Sequence, residues 1–155
     1  VEDWERVDAM LTQVLDTVVN VYAPSDLDLP TLRYVCVGTP VVNCDQVTVS
    51  LRQLYRGIPG LQEEQPSNCM SPLTAVIEVQ VVRCAKVVDA RGNTLIEPMV
   101  EASTIYMRDA NMLMLIPSSF AAQATYYADI TVAELQGQYW GPTMNLVIEV
   151  QPEEE

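Results

Sequence analysis

The chain has 155 residues with 21 acidic and eight basic side chains, a formal net charge of −13, and no histidine. That length favours one domain with a sizeable core. The charge argues against a surface that grips nucleic-acid phosphates. Without histidine the commonest general base and the commonest metal ligand are missing, so chemistry would fall to carboxylates or thiols.

In chain order, the first predicted element is a helix over residues 3–22. Trp4, Val7, Leu11, Val14, Leu15, Val18 and Tyr22 recur at helical spacing and form one apolar stripe. Glu2, Asp3, Glu5 and Asp8 crowd its first turns, where negative charge complements the helix dipole. Pro24 disfavours helix at Ala23 and ends it. The N-terminal VEDWERVDAM is acidic and amphipathic, the opposite of a secretory signal. No apolar run reaches the length of a membrane-spanning helix, so no membrane partner is expected.

A short strand is predicted over Leu32–Val37, bounded by Pro30 and Gly38-Thr39-Pro40. Two longer strands follow, over 45–55 and 73–85. In the first, Val47, Val49 and Leu51 share one face; Gln46, Thr48, Ser50 and Arg52 share the other. In the second, Ala75, Ile77, Val79 and Val81 alternate with Val76, Glu78, Gln80 and Val82. If the two pair antiparallel, a register matching Val47 with Val82 brings Cys44 near Cys84. The face carrying Thr48, Ser50, Arg52, Glu78 and Gln80 suits a polar contact surface or plain solvation. The connection between the strands runs to about 17 residues, beyond the usual hairpin length, and its Gly57-Ile58-Pro59-Gly60 segment is the candidate subunit-contact loop.

Asp89-Ala90-Arg91-Gly92-Asn93 is a turn cluster. Pro98 suits the first turn of a second helix running to about Leu115, with Met99, Ala102, Ile105, Tyr106, Ala110, Leu113 and Met114 as its apolar face. Pro117 stops it, and residues 118–125 read as loop or a short helical turn. Two strands close the chain. The first carries Ile130, Val132 and Leu135 up to Tyr139-Trp140; after Gly141-Pro142, Met144, Leu146, Ile148 and Val150 alternate. The order is α-β-β-β-α-β-β. It predicts an α+β fold with a mostly antiparallel sheet and two helices packed on one face, over residues 1–151, followed by an acidic tail at 152–155.

Chemistry is hard to find along this path. There is no phosphate-cradling glycine loop, no dinucleotide fingerprint and no serine elbow. Asp26-Leu27-Asp28 and Glu63-Glu64 lack the loop pattern of a calcium site and read as solvated acids. Cys36, Cys44, Cys69 and Cys84 are separated by 7, 24 and 14 intervening residues, without the close pairs that zinc sites use. Cys44 and Cys84 are therefore either a cross-strand disulfide, in an oxidising setting, or two buried thiols. No catalytic, cofactor-binding or metal-binding residue is assigned, and no cofactor is expected.

Several segments carry a resemblance: Tyr34-Val35 with Gly38, Asn43-Cys44-Asp45-Gln46-Val47-Thr48-Val49, Gly57-Ile58-Pro59-Gly60, Cys69-Met70-Ser71-Pro72 and Val82-Arg83-Cys84. Together they resemble neck proteins of tailed phages that infect actinobacteria, the small proteins usually placed as tail terminators. The resemblance covers roughly residues 30–150. It implies a hexameric ring that caps the tail tube, joins the tail to the head and leaves a central channel for DNA. The implied partners are further copies of the chain, the tail tube protein below, and a head–tail stopper or connector above. DNA would pass without specific binding, in a virion assembled in the host cytoplasm. Two other readings compete: another neck or tail component, such as a connector or tube protein, and a small acidic thiol or carboxylate enzyme or ligand-binding domain.

Overall fold

The computed structural model describes residues 2–57, 72–120, 125–132 and 138–150. Helix α1 spans Asp3–Tyr22 and strand β1 Leu32–Val37; β2 spans Gln46–Arg56 and β3 Leu73–Cys84. Helix α2 spans Ile96–Leu113, and a 3-10 turn follows at Pro117–Phe120. Strands β4 (Thr125–Thr131), β5 (Tyr139–Trp140) and β6 (Thr143–Glu149) complete the described elements. The fold is α+β, with a mostly antiparallel sheet.

The sheet runs β1-β2-β3-β6-β4, with the short β5 against the end of β3. Only β1 and β2 are parallel; β2–β3, β3–β6 and β6–β4 are antiparallel. The last third therefore holds three strands where periodicity predicts two. Tyr139-Trp140 separates from the stretch before it and joins β3 through Arg83 and Cys84. The β2–β3 register also differs by one residue from the expected one: Val47 faces Val81, and Gln46 faces Val82.

One face of the sheet makes the core. Val47 and Val49 of β2, Ala75, Ile77, Val79 and Val81 of β3, and Met144, Leu146 and Ile148 of β6 are buried on it. Val7, Met10, Leu11, Val14, Val18 and Tyr22 of α1 cover this face, joined by Leu113 from the end of α2. Each fully buried aliphatic side chain here is worth about 1.5–3 kcal/mol over exposure. Trp4 belongs to the predicted stripe yet is 64% exposed; its indole N–H donates to Glu2 Oε2 at 2.7 Å, a local bond that needs no core. Met114, also counted in a predicted apolar face, is exposed beyond the end of α2. A second, smaller cluster packs Val87, Ala102, Tyr106 and Trp140, the Tyr106 and Trp140 rings stacking with centroids 6.5 Å apart.

The opposite face departs from expectation at one end. Gln46, Thr48 and Ser50 are buried rather than solvated. The cause is the parallel β1–β2 pair, which forces residues 38–45 to run back along the sheet. Gln46 Nε2 donates to Val41 O at 2.9 Å, Tyr34 Oη donates to the same carbonyl at 3.1 Å, and Arg52 Nη1 donates to Thr39 Oγ1 at 2.9 Å. These bonds hold the return segment over the polar row of β2. At the same end of the sheet, on the other side of β3, Gly141 has φ 158°, and a Cβ there would stand 1.6 Å from Val81 O. Only glycine lets the chain pass so close to β3 on its way into β6.

Candidate functional site

Two of the segments that carry the phage resemblance, 43–49 and 82–84, meet at one corner of the sheet. With Gln46 opposite Val82, Cys44 and Cys84 fall directly opposite each other, and the structure joins them as a disulfide with Cα atoms 5.3 Å apart. The expected register would have set Asp45 there instead. Asp45 takes φ 51°, a left-handed conformation that a short polar side chain tolerates, and its Oδ1 accepts the Cys84 N–H at 2.9 Å. The entry to β2 is thus tied to the exit of β3 by one covalent and one hydrogen bond.

Beside it lies a buried ionic cluster that periodicity does not announce. Asp109 is fully buried in α2. Arg83 of β3 donates to it through Nε at 2.6 Å and through Nη2 at 3.0 Å, and Tyr22 Oη donates at 2.6 Å. Arg83 Nη2 also donates to Asp28 O at 2.8 Å. Three elements and a loop therefore meet on one carboxylate: the end of α1, β3, α2 and the segment after α1. Burial pushes the Tyr22 phenol up, and the Asp109 charge and hydrogen bond push it further. For Arg83, burial pulls down, but the bond and charge of Asp109 outweigh it and leave the guanidinium more firmly protonated. The signal in the sequence was faint: an acid in phase with Ala102, Tyr106 and Leu113 on the apolar side of a helix.

A cleft of about 360 Å³ opens between the exit of β3 and the first turns of α2, with Asp45, Arg83, Lys86, Glu101 and Trp140 on its walls. Its charges are mixed in sign. Among the described residues no group of three or more Cys, Asp or Glu side chains is placed to hold a metal. Cys36 is a free, half-buried thiol; burial raises its pKa, with Arg52 pulling the other way, which lowers its thiolate fraction and reactivity. Of the candidate contact loop, Gly57 is described: its N–H donates to Pro72 O at 2.8 Å, and its carbonyl accepts from Thr74 Oγ1 at 2.8 Å. Ile58, Pro59 and Gly60 lie outside the described residues.

The margins of the sheet are the remaining feature with chemical content. Among the described residues no strand lies outside β1 or outside β4. Each margin bears exposed apolar side chains: Leu32 and Val37 on β1, Tyr127 and Val132 at β4. Unpaired strand edges of this kind are templates for pairing with another chain, and proteins that do not use them generally blunt them. No described helix is long and apolar enough to cross a membrane. In comparison with known proteins, the chain matches no family model and no curated protein.

Proposed function

We propose that this chain is a structural ring protein of a tailed-phage neck, the tail terminator that caps the tail tube and joins it to the head. The observation that carries the reading is the sheet with two different margins that no further strand covers among the described residues, both bearing exposed apolar side chains. A closed ring is built from heterologous contacts, in which one surface of a subunit meets a different surface of the next. Two unlike edges on opposite sides of one sheet supply that pair of surfaces. The sequence resemblance supports the reading independently, and most of its described residues belong to the corner that locks β2, β3 and α2 together. Such a corner suits a subunit that must keep its shape under load. The charge of −13 suits a channel through which DNA slides without sticking.

In this reading the protein acts by position and rigidity, with no cofactor. Its partners are copies of itself, the tail tube protein, and the stopper or connector ring toward the head. Native mass spectrometry of the purified chain, followed by localisation of the subunit in a reconstructed particle, tests the proposal. A cyclic oligomer seated on the last tube ring is the expected result. A ring in contact with the portal would remove the terminator assignment, and a subunit absent from the neck would remove the whole reading.

A further inference from the structure

We infer that neighbouring copies join by antiparallel pairing of β4 of one copy with β1 of the next, so that one sheet continues across the subunit boundary. This inference rests on the ring reading above and specifies its contact. Strand direction is the first support. β1 and β2 run the same way, and three successive antiparallel steps through β3 and β6 leave β4 running opposite to β1. Two copies set side by side in the same orientation therefore present β4 and β1 to each other as antiparallel strands, with six and seven residues available.

Side-chain parity agrees. Arg33, Val35 and Val37 lie opposite Val47, Val49 and Leu51, so they point to the helix-covered face. Ala128 and Ile130 lie opposite Leu146 and Met144 and point the same way, as Val132 does by alternation. Val35, Ala128 and Ile130 already pack against the core. Val37 and Val132, 79% and 76% exposed, are the two most exposed large apolar side chains among the described residues. Both stand at the ends of these margins, on the face where a neighbour's helix-covered side would continue. Odd residues of β1 meeting even residues of β4 would bury both.

Charge disfavours the symmetric β4–β4 alternative. Asp129 sits mid-strand on the other face of β4, where β4 against β4 would bring two such carboxylates together. The mixed pairing keeps the Asp129 carboxylates of neighbouring copies apart.

Cys36 makes the test direct, because it shares a face with Asp129 and Thr131 in the proposed sheet. In a Cys69→Ser background, Asp129→Cys and Thr131→Cys cover two neighbouring registers, and Ile130→Cys is the opposite-face control. After a short bis-maleimide treatment and denaturing electrophoresis, the expected result is a ladder extending beyond dimers for Asp129→Cys or Thr131→Cys, lost in Ile130→Cys. Circular dichroism and native mass spectrometry verify that each variant folds and assembles like the parent. Rings without a ladder would overturn the pairing and leave the ring standing. Products that stop at dimers would show a symmetric contact and overturn the pairing as well. A folded parent that stays monomeric at every concentration would remove both.

Discussion

Asp109 is the side chain whose loss should cost most relative to its size. It is fully buried, and its carboxylate is shared by Arg83 and Tyr22. Removing one partner of a buried ion pair leaves the other uncompensated, so Asp109→Ala should lower the unfolding free energy by about 3–5 kcal/mol in urea titrations. Replacing both members with apolar residues, as in Arg83→Met with Asp109→Leu, should recover much of that loss. Tyr22 gives the same cluster a pH signature. Its folded pKa is raised, so the neutral phenol is the form the fold stabilises. Below the ordinary phenol value, about 10, folded and unfolded states are both protonated and the contribution is intact. Above it the unfolded chain ionises first, so stability should fall by about 1.4 kcal/mol per pH unit for this group. Comparing the alkaline slope of the parent with that of Tyr22→Phe measures it, and equal slopes would show that the phenol does not hold its proton. This cluster was the part of the corner least legible in the sequence. Tyr22 and Leu113 announce themselves by period, whereas the pairing of Arg83 with Asp109 depends on how a strand and a helix 26 residues apart are docked.

At the scale of elements, local pattern was a good guide wherever one face is apolar and the other wet. The bounds of α1 and β1 match their periodicity, and the alternation of Met144, Leu146 and Ile148, continued by Val150, marks β6 and its buried face. Pattern failed where topology intervened. The parallel β1–β2 pair turns a polar row inward, and no period of two can reveal a return segment laid over it. The separate β5 was invisible for a similar reason, since two residues carry no period. The Cys44–Cys84 link depends on a register that spacing alone left one residue off. It closes a segment with a sequence separation of 40, for which loop-closure entropy gives about 4 kcal/mol. Reduction, or Cys44→Ser with Cys84→Ser, should therefore lower the melting temperature by on the order of 10 °C in calorimetry. An unchanged melting temperature would mean that Asp45 and the ionic cluster hold the corner without it.

For the whole molecule, the ring proposal turns on the two margins that carry no further strand among the described residues, since there a sheet becomes a unit that repeats. The α+β class and the core face were legible from sequence; the margins were not, since strand order is decided by contacts between distant segments. One such contact has a consequence for synthesis. β6 sits between β3 and β4, and Ile77 of β3 meets Leu146 across a separation of 69 residues. An interior place in the sheet is thus filled by the last of the described strands in chain order. Until it is made, β3 lacks one neighbour, and the places of Met144, Leu146, Ile148 and Val150 stand empty. A chain truncated after Pro142 should fail to give a cooperative unfolding transition and should bind a hydrophobic dye; a native-like transition would show that the rest folds alone. β6 behaves as a keystone, and it doubles as a proofreading step. On the ring proposal, an incomplete translation product lacks the strand that positions β4, so it takes no place among finished subunits.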